Sequence, residues 1–245
     1  MRRIGKGYSY VLLLPLLCTS AVHAEQSQQQ CARAVLASNA GADLAYRVGW
    51  KGLSLDSKRQ VERLDDGSWR ATNNSSLLFM GIEESSRFRL NAGRVESQTY
   101  DYQRKGMSDK HNLKLEFKPG QGYRATSPKG VSDITNATPL FDLLNHQMQL
   151  RIDLACAEPR DEYTYAVARR NRVSEYRYRR IGEERVQTPA GEFNAVRLER
   201  GELGDQFNQV WLAPELGYLI VKLVHQEEDD DKAELVLVKK PVDNG

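Results

Sequence analysis

Histidine and cysteine are scarce in this 245-residue chain, with four and three copies. His23, His111, His146 and His225 stand far apart, and neither an H-E-x-x-H pair nor a G-x-S-x-G turn occurs, so the signatures of zinc peptidases and α/β-hydrolases are missing. Gly120-Gln121-Gly122-Tyr123-Arg124-Ala125 mimics a dinucleotide fingerprint, but it follows Pro119 and opens no helix, so the geometry that needs those glycines is absent. The acidic run Glu227 to Asp231 lacks the spacing of a Ca²⁺ loop and reads as a solvated hairpin tip. These absences predict a protein that is not an enzyme and that uses no metal and no cofactor.

A surplus of charge is also missing. Lys and Arg number 35 against 33 Asp and Glu, a formal +2, and removing Arg2, Arg3 and Lys6 with the first 24 residues takes this to −1. A near-neutral chain has no electrostatic surplus with which to hold a polyphosphate, so no nucleic-acid partner is expected. Long apolar runs are confined to the N-terminus. Elsewhere the longest is Leu216 to Val224, which contains Lys222 and has the length of a strand, so no integral membrane segment remains once the leader is removed.

What is present begins with that leader. Met1 to Tyr10 is basic, Val11 to Leu17 is apolar, and Ala21-Val22-His23-Ala24 offers small residues at the −3 and −1 sites, so residues 1–24 read as a signal peptide cleaved before Glu25 and the mature protein as periplasmic. An uncleaved anchor and a lipid-modified Cys18 are the alternatives. Cleavage leaves Cys31 and Cys156, an even number in an oxidising compartment, and a disulfide between them is expected to tie a polar segment, residues 25–42, to the body. The long loop it closes would contribute about 4 to 5 kcal/mol at best.

Residues 43–240 read as a single β-rich domain, followed by a tail at 241–245. Asn112 to Lys118 alternates polar residues with Leu113, Leu115 and Phe117 until Pro119-Gly120 stops it, and similar segments recur along the chain. Asp65-Asp66-Gly67, Asn91-Ala92-Gly93, Pro189-Ala190-Gly191 and Pro214-Glu215-Leu216-Gly217 punctuate them. The fold class is therefore mainly β, a curved antiparallel meander or half-open β-barrel of about twelve strands, with one covering α-helix. That helix is expected to be capped by Thr138, to start at Pro139 and to present Leu140, Phe141, Leu143, Leu144, Met148 and Leu150 at helical spacing. A second short helical turn is expected around Leu77 to Ile82.

The hairpin Gln187-Thr188-Pro189-Ala190-Gly191-Glu192-Phe193 and the turn Trp211-Leu212-Ala213-Pro214-Glu215-Leu216-Gly217, with Asn73 to Gly81 and Pro139-Leu140, resemble the bacterial secreted family known as domain of unknown function 3108, over roughly Asp43 to Lys240. The resemblance implies a cell-envelope location, a fold like the half-open barrels of lipoprotein carriers, and no established reaction. The family's helix start has an acid before the proline where this chain has Thr138.

Two functions follow. The first is a non-enzymatic periplasmic protein in envelope biogenesis that binds an apolar ligand, a lipid or lipoprotein acyl chain, on a concave face formed by Trp50, Phe88, Phe117, Leu144, Phe193 and Trp211. It needs a cavity of about 300 to 1,000 Å³ with the helix as its cover. The second is a protein-interaction factor that assists an outer-membrane component such as a lipoprotein or secretin, which needs instead a packed interior and an exposed patch or edge. One further feature is the crowd of Arg and Tyr from Tyr163 to Arg180, whose alternation places Tyr176 and Tyr178 on one face of a strand and Arg177 and Arg179 on the other. Such a crowd suits either the two faces of a sheet or anionic lipid head groups.

Overall fold

A computed structural model describes residues 17–77, 79–201, 207–226 and 232–240. The helix α1 (Leu17–Ala37) is followed by the strands β1 (Leu44–Trp50), β2 (Leu53–Arg63), β3 (Trp69–Leu77), β4 (Met80–Asn91), β5 (Arg94–Lys105), β6 (Leu113–Lys118), β7 (Gly122–Ser127) and β8 (Gly130–Thr135). A two-residue strand β9 (Leu140–Phe141) and the helix α2 (Asn145–Cys156) form the middle of the chain. The second half is β10 (Glu162–Ala168), β11 (Val173–Thr188), β12 (Gly191–Arg200), β13 (Phe207–Ala213), β14 (Leu219–Gln226) and β15 (Lys232–Leu237).

The described strands form a single 15-stranded sheet in the order β8 to β1, then β15 to β9. Each half is a meander of neighbours in sequence, and antiparallel pairing of β1 with β15 joins the halves. All pairs are antiparallel except β9 with β10. The mainly β, curved fold expected from the alternation is present, with fifteen strands in place of about twelve and with two helices.

Bulges interrupt three pairings of the sheet, and at two of them, on β5 and β14, the alternation of buried residues changes phase. Opposite Arg87 and Phe88, β5 carries Gln98 as an extra residue, so Ser97 and Tyr100 both turn inward. Ile181 on β11 and Val221 on β14 are extra in the same sense. The second allows Leu219, Ile220 and Val221 all to be buried in succession.

The helix differs from expectation in its start. Residues 140–141 pair with Ala166 and Val167 of β10, and Thr138 bonds through its N–H and hydroxyl to Asn136 Oδ1 at 2.8 and 2.6 Å in a local turn. Asp142, not Thr138, satisfies the first turn of α2, because its Oδ1 accepts the N–H groups of Leu144 and Asn145 at 2.8 Å each. The expected helical turn around Leu77 to Ile82 is instead the β3–β4 hairpin, with Leu77 opposite Met80. The acidic tip 227–231, the tail and residues 1–16 of the leader lie outside the described residues.

The N-terminal segment is more than a tether. Ala32, Val35 and Leu36 bury one stripe of α1 in the main core, and a disulfide of 2.06 Å joins Cys31 to Cys156, the last residue of α2. The Pro214–Leu216 turn ends in Gly217 at φ 62°, a left-handed conformation, and a Cβ there would stand 2.5 Å from Ser38 Oγ after α1. No described helix is long and apolar enough to cross a membrane.

Candidate functional site

The concave face of the sheet is filled by α2, which buries Asn145, His146, Gln149 and Arg151 along with Leu150, Ile152 and Leu154. Burying polar groups costs free energy unless each finds a partner, and here the partners are present. Asp142 Oδ2 accepts from the Ser86 hydroxyl at 2.6 Å and from Asn145 Nδ2 at 2.7 Å, so with the two backbone donors its carboxylate accepts four hydrogen bonds. Asn145 Nδ2 also donates to Ser97 Oγ, whose hydroxyl donates to the Leu140 carbonyl. The Val95 N–H donates to Gln149 Oε1 at 2.7 Å. Arg151 donates to the carbonyl oxygens of Gly217 and Val35 and to Asn39 Oδ1 at 3.0, 3.3 and 2.8 Å, which ties α2 to α1 and to the β13–β14 turn.

Burial dominates the titration of these groups. It pushes the Asp142 carboxyl up to about 7 against the hydrogen bonds that favour its ionised form. It holds the His146 imidazole down to about 3. A neutral ring with Nδ1 at 3.0 Å from the Asp142 carbonyl oxygen carries its proton there, so Nε2 accepts the Tyr178 hydroxyl, also at 3.0 Å. The ring stacks on Tyr178 and meets the edge of Tyr176. Both nitrogens are thus occupied within the fold.

Of the residues expected on a concave binding face, Phe88 and Phe193 are inside the main core at 0% and 1% exposure, and Trp211 is buried there at 7%. Trp211 donates from Nε1 to Glu184 Oε1 and carries the cations of Arg197 and Lys222 over its ring. Leu144 belongs to a second, smaller cluster with Tyr100, Leu115, Tyr123 and Leu140, against which the half-buried Phe117 packs. The side chain of Trp50 lies outside the described residues. Phe88, Phe117, Leu144, Phe193 and Trp211 do not line one cavity. The space beside Leu144 and α2 is about 30 Å³, room for a water and not for an acyl chain.

A larger apolar-walled space than this one lies at the rim. A cleft of about 310 Å³ opens between the β4–β5 turn, the β6–β7 turn and residues 136–140. Phe117, Pro119, Val95, Pro139 and Leu140 contribute its apolar walls, and Arg94, Glu96 and Lys118 are among its polar groups. Gly122, at φ 123°, allows the β6–β7 turn to close against Ile134, whose carbonyl oxygen occupies the space a Cβ would need. Among the described side chains, Phe117 is the one residue of the expected face that this cleft contains. Pro119 and Pro139 flank it because they end β6 and precede β9, a placement that requires the tertiary fold and is not visible in either segment alone.

A model of the family described as protein of unknown function DUF3108 matches residues 46–237. The chain belongs to that family. No curated protein matches this DUF3108 chain in sequence. Among solved structures, a β-barrel-like protein of domain of unknown function DUF1849 from Brucella abortus is 10% identical with a TM-score of 0.50, over 82% of this chain and 97% of that one. MucB in the MucA/MucB complex of Pseudomonas aeruginosa is 12% identical with a TM-score of 0.35, over 86% of this chain and 56% of that one. A DUF1329 family protein from Desulfovibrio piger is 11% identical with a TM-score of 0.28, over 87% of this chain and 90% of that one. The likeness to the Brucella protein agrees with a β-barrel-like fold for the DUF3108 chain.

Proposed function

We propose that the protein is a non-enzymatic binding protein of the bacterial periplasm, exported by residues 1–24, which takes an apolar ligand, a lipid or lipoprotein acyl chain, at the rim of its half-barrel in envelope biogenesis. The observation that carries this reading is the 310 Å³ rim cleft, at the lower end of the range of about 300 to 1,000 Å³ in which small ligands are held. A chain lying against Phe117, Pro119 and Leu140 would exchange water for apolar wall, at about 0.8 kcal/mol for each methylene buried. The packed core beside α2 leaves no comparable room, so ligand entry belongs to the rim and α2 is a wedge and not a lid.

Native mass spectrometry of the gently purified mature protein tests this reading. Lipid that co-purifies, or a fatty acid that exchanges in, should be bound at least tenfold more weakly by Pro119→Asp, an exposed wall of the cleft outside both core clusters. An empty protein that exchanges no lipid contradicts it. The leader is tested on the same sample, where the mature chain should begin at Glu25, and an intact Met1 or a lipidated Cys18 would refute cleavage there.

A second reading, a protein-interaction factor, is favoured by the free edge of β8, where Val131 is 60% exposed. Such an edge can accept a strand from an outer-membrane component. A photo-crosslinker at residue 131 that captures one envelope protein from cells, together with an empty rim cleft, would favour this reading over the first.

A further inference from the structure

Guanidinium groups on the sheet mostly find carboxylates. Arg87 pairs with Asp66, Arg124 with Asp133, Arg177 with Glu175 and Arg197 with Glu199. At the other end of β5 and β6 from the rim cleft this pattern fails. An open cleft of about 590 Å³ lies between the C-terminal end of β5, the turn at Asp109–His111 and the β10–β11 turn, and it is lined by Arg104, Arg169, Arg170, Arg172 and His111 with no carboxylate among the described residues.

The partners of these arginines are weak or few. Among the described residues the Arg104 guanidinium reaches only the Met107 thioether, at 3.6 Å, and the Asn112 side chain is taken by its backbone N–H. Arg170 reaches the Lys110 carbonyl at 3.3 Å, and Arg169 the Tyr176 hydroxyl at 2.8 Å. The Nε atoms of Arg104 and Arg170 are buried with no hydrogen-bond partner among the described residues, as are those of Arg59, Arg197 and Arg200, so it is the absence of carboxylates in the lining that sets the cleft apart. Arg172 is exposed and forms no side-chain bond among the described residues. The nearby Glu84 is committed elsewhere, accepting from Tyr100 and Asn73. Partial desolvation and then the positive charges of Arg104, Lys110, Arg170 and Lys129 hold the His111 imidazolium below its ordinary range, in keeping with a positive local field.

The turn is also held in place before any ligand arrives. The Tyr123 hydroxyl lies 2.6 and 2.7 Å from the carbonyl oxygens of Arg169 and Arg172, and the Arg169 N–H donates to the Arg172 carbonyl. Half-buried cations without counter-charges cost free energy, so a fold that positions several of them on a braced turn fits an anion supplied from outside.

We propose that this cleft binds a phosphoryl group, a phosphate mono- or diester, through the guanidinium groups of Arg104 and Arg170, with Arg169 and Arg172 completing the positive wall. A tetrahedral anion offers three or more acceptor oxygens, enough for several guanidinium forks, whereas one carboxylate would leave most of them empty. Tyr102, Leu113 and Leu143 supply an adjoining wall that suits the uncharged part of an ester. The site shares none of its lining residues with the rim cleft, so it stands or falls independently of the apolar-ligand reading.

Calorimetric titration of the mature, disulfide-bonded protein with inorganic phosphate, and flotation with vesicles of phosphatidylglycerol or of phosphatidylcholine alone, test the site and separate a free phosphate from a lipid head group. Wild type should bind inorganic phosphate, phosphatidylglycerol vesicles, or both. Binding should weaken with salt, fall at least tenfold in Arg104→Ala/Arg170→Ala and fall about threefold in Arg172→Ala, whose exposed side chain carries no part of the fold. The charge-matched control Arg47→Ala/Arg63→Ala should bind like wild type. Failure of wild type to bind either phosphate source, equal losses in the control, or acetate competing as well as phosphate would overturn the proposal.

Discussion

Two groups of polar side chains stand close together along the chain and are treated in opposite ways. Around the start of α2, Asp142, Asn145, His146 and Arg151 are buried and supplied with partners from both meanders and from α1. At the β10–β11 turn, Arg169, Arg170 and Arg172 face Arg104 across an open cleft with no acid among its described lining residues. The first arrangement makes polar groups part of the framework, because each accepts or donates inside the fold and its removal strands another buried group. The second leaves bonding capacity unused, which contributes nothing to folding and is available to a ligand.

The framework side of this comparison is broken most severely at Arg151. Arg151→Ala opens a cavity and strands the carbonyl oxygens of Val35 and Gly217 and the Asn39 amide, so urea denaturation should show a loss of about 3 to 5 kcal/mol. A loss below about 1 kcal/mol would mean that α2 is not held by these bonds. Removing the bridge between α1 and α2 comes next, and Cys31→Ser/Cys156→Ser should cost about 2 to 4 kcal/mol in the same measurement.

A finer probe uses protons. The folded-state pKa of Asp142 is raised from 3.8 to about 7, so between those values the folded state keeps a proton that the unfolded state releases, and stability falls as pH rises. The folded-state pKa of His146 is lowered from 6.5 to about 3, so between those values the unfolded state holds the extra proton, and stability falls as pH drops. The two slopes oppose each other between about pH 4 and 6.5. Asp142→Asn should therefore gain stability relative to wild type as pH rises through that window, and His146→Gln should lose it, each by up to about 1.4 kcal/mol per pH unit. Urea midpoints that run parallel in all three proteins would contradict the assignment.

The fold was legible where a local pattern carries it. Leu113, Leu115 and Phe117 announce β6, and Thr188-Pro189-Ala190-Gly191 announces a hairpin whose register does place Thr188 opposite Gly191. The start of α2 was not legible, because Leu140 and Leu144 have helical spacing while Leu140 and Phe141 pair with β10, a contact made across 26 residues of sequence. Nor could alternation tell Phe88 and Phe193, sealed in the core, from Phe117 at the rim, since all three point to the same side of a strand. The polar face of α2 left a faint signal in Asn145 and Gln149, four residues apart on an otherwise apolar stripe. The arginine cleft left half a signal, because the crowd at 169–172 is visible in the chain but the lack of acids around it is a property of space.

The central claim is that the arginines of the open cleft, which have no carboxylate partner and few acceptors, serve a ligand, and that polar groups with full sets of partners serve the fold. Its most direct test is urea denaturation of Arg104→Ala/Arg170→Ala beside wild type in phosphate-free buffer. The account predicts a stability within about 0.5 kcal/mol of wild type, or above it because like charges have been removed. A loss of about 2 kcal/mol or more would show that these arginines are part of the framework and contradict the claim.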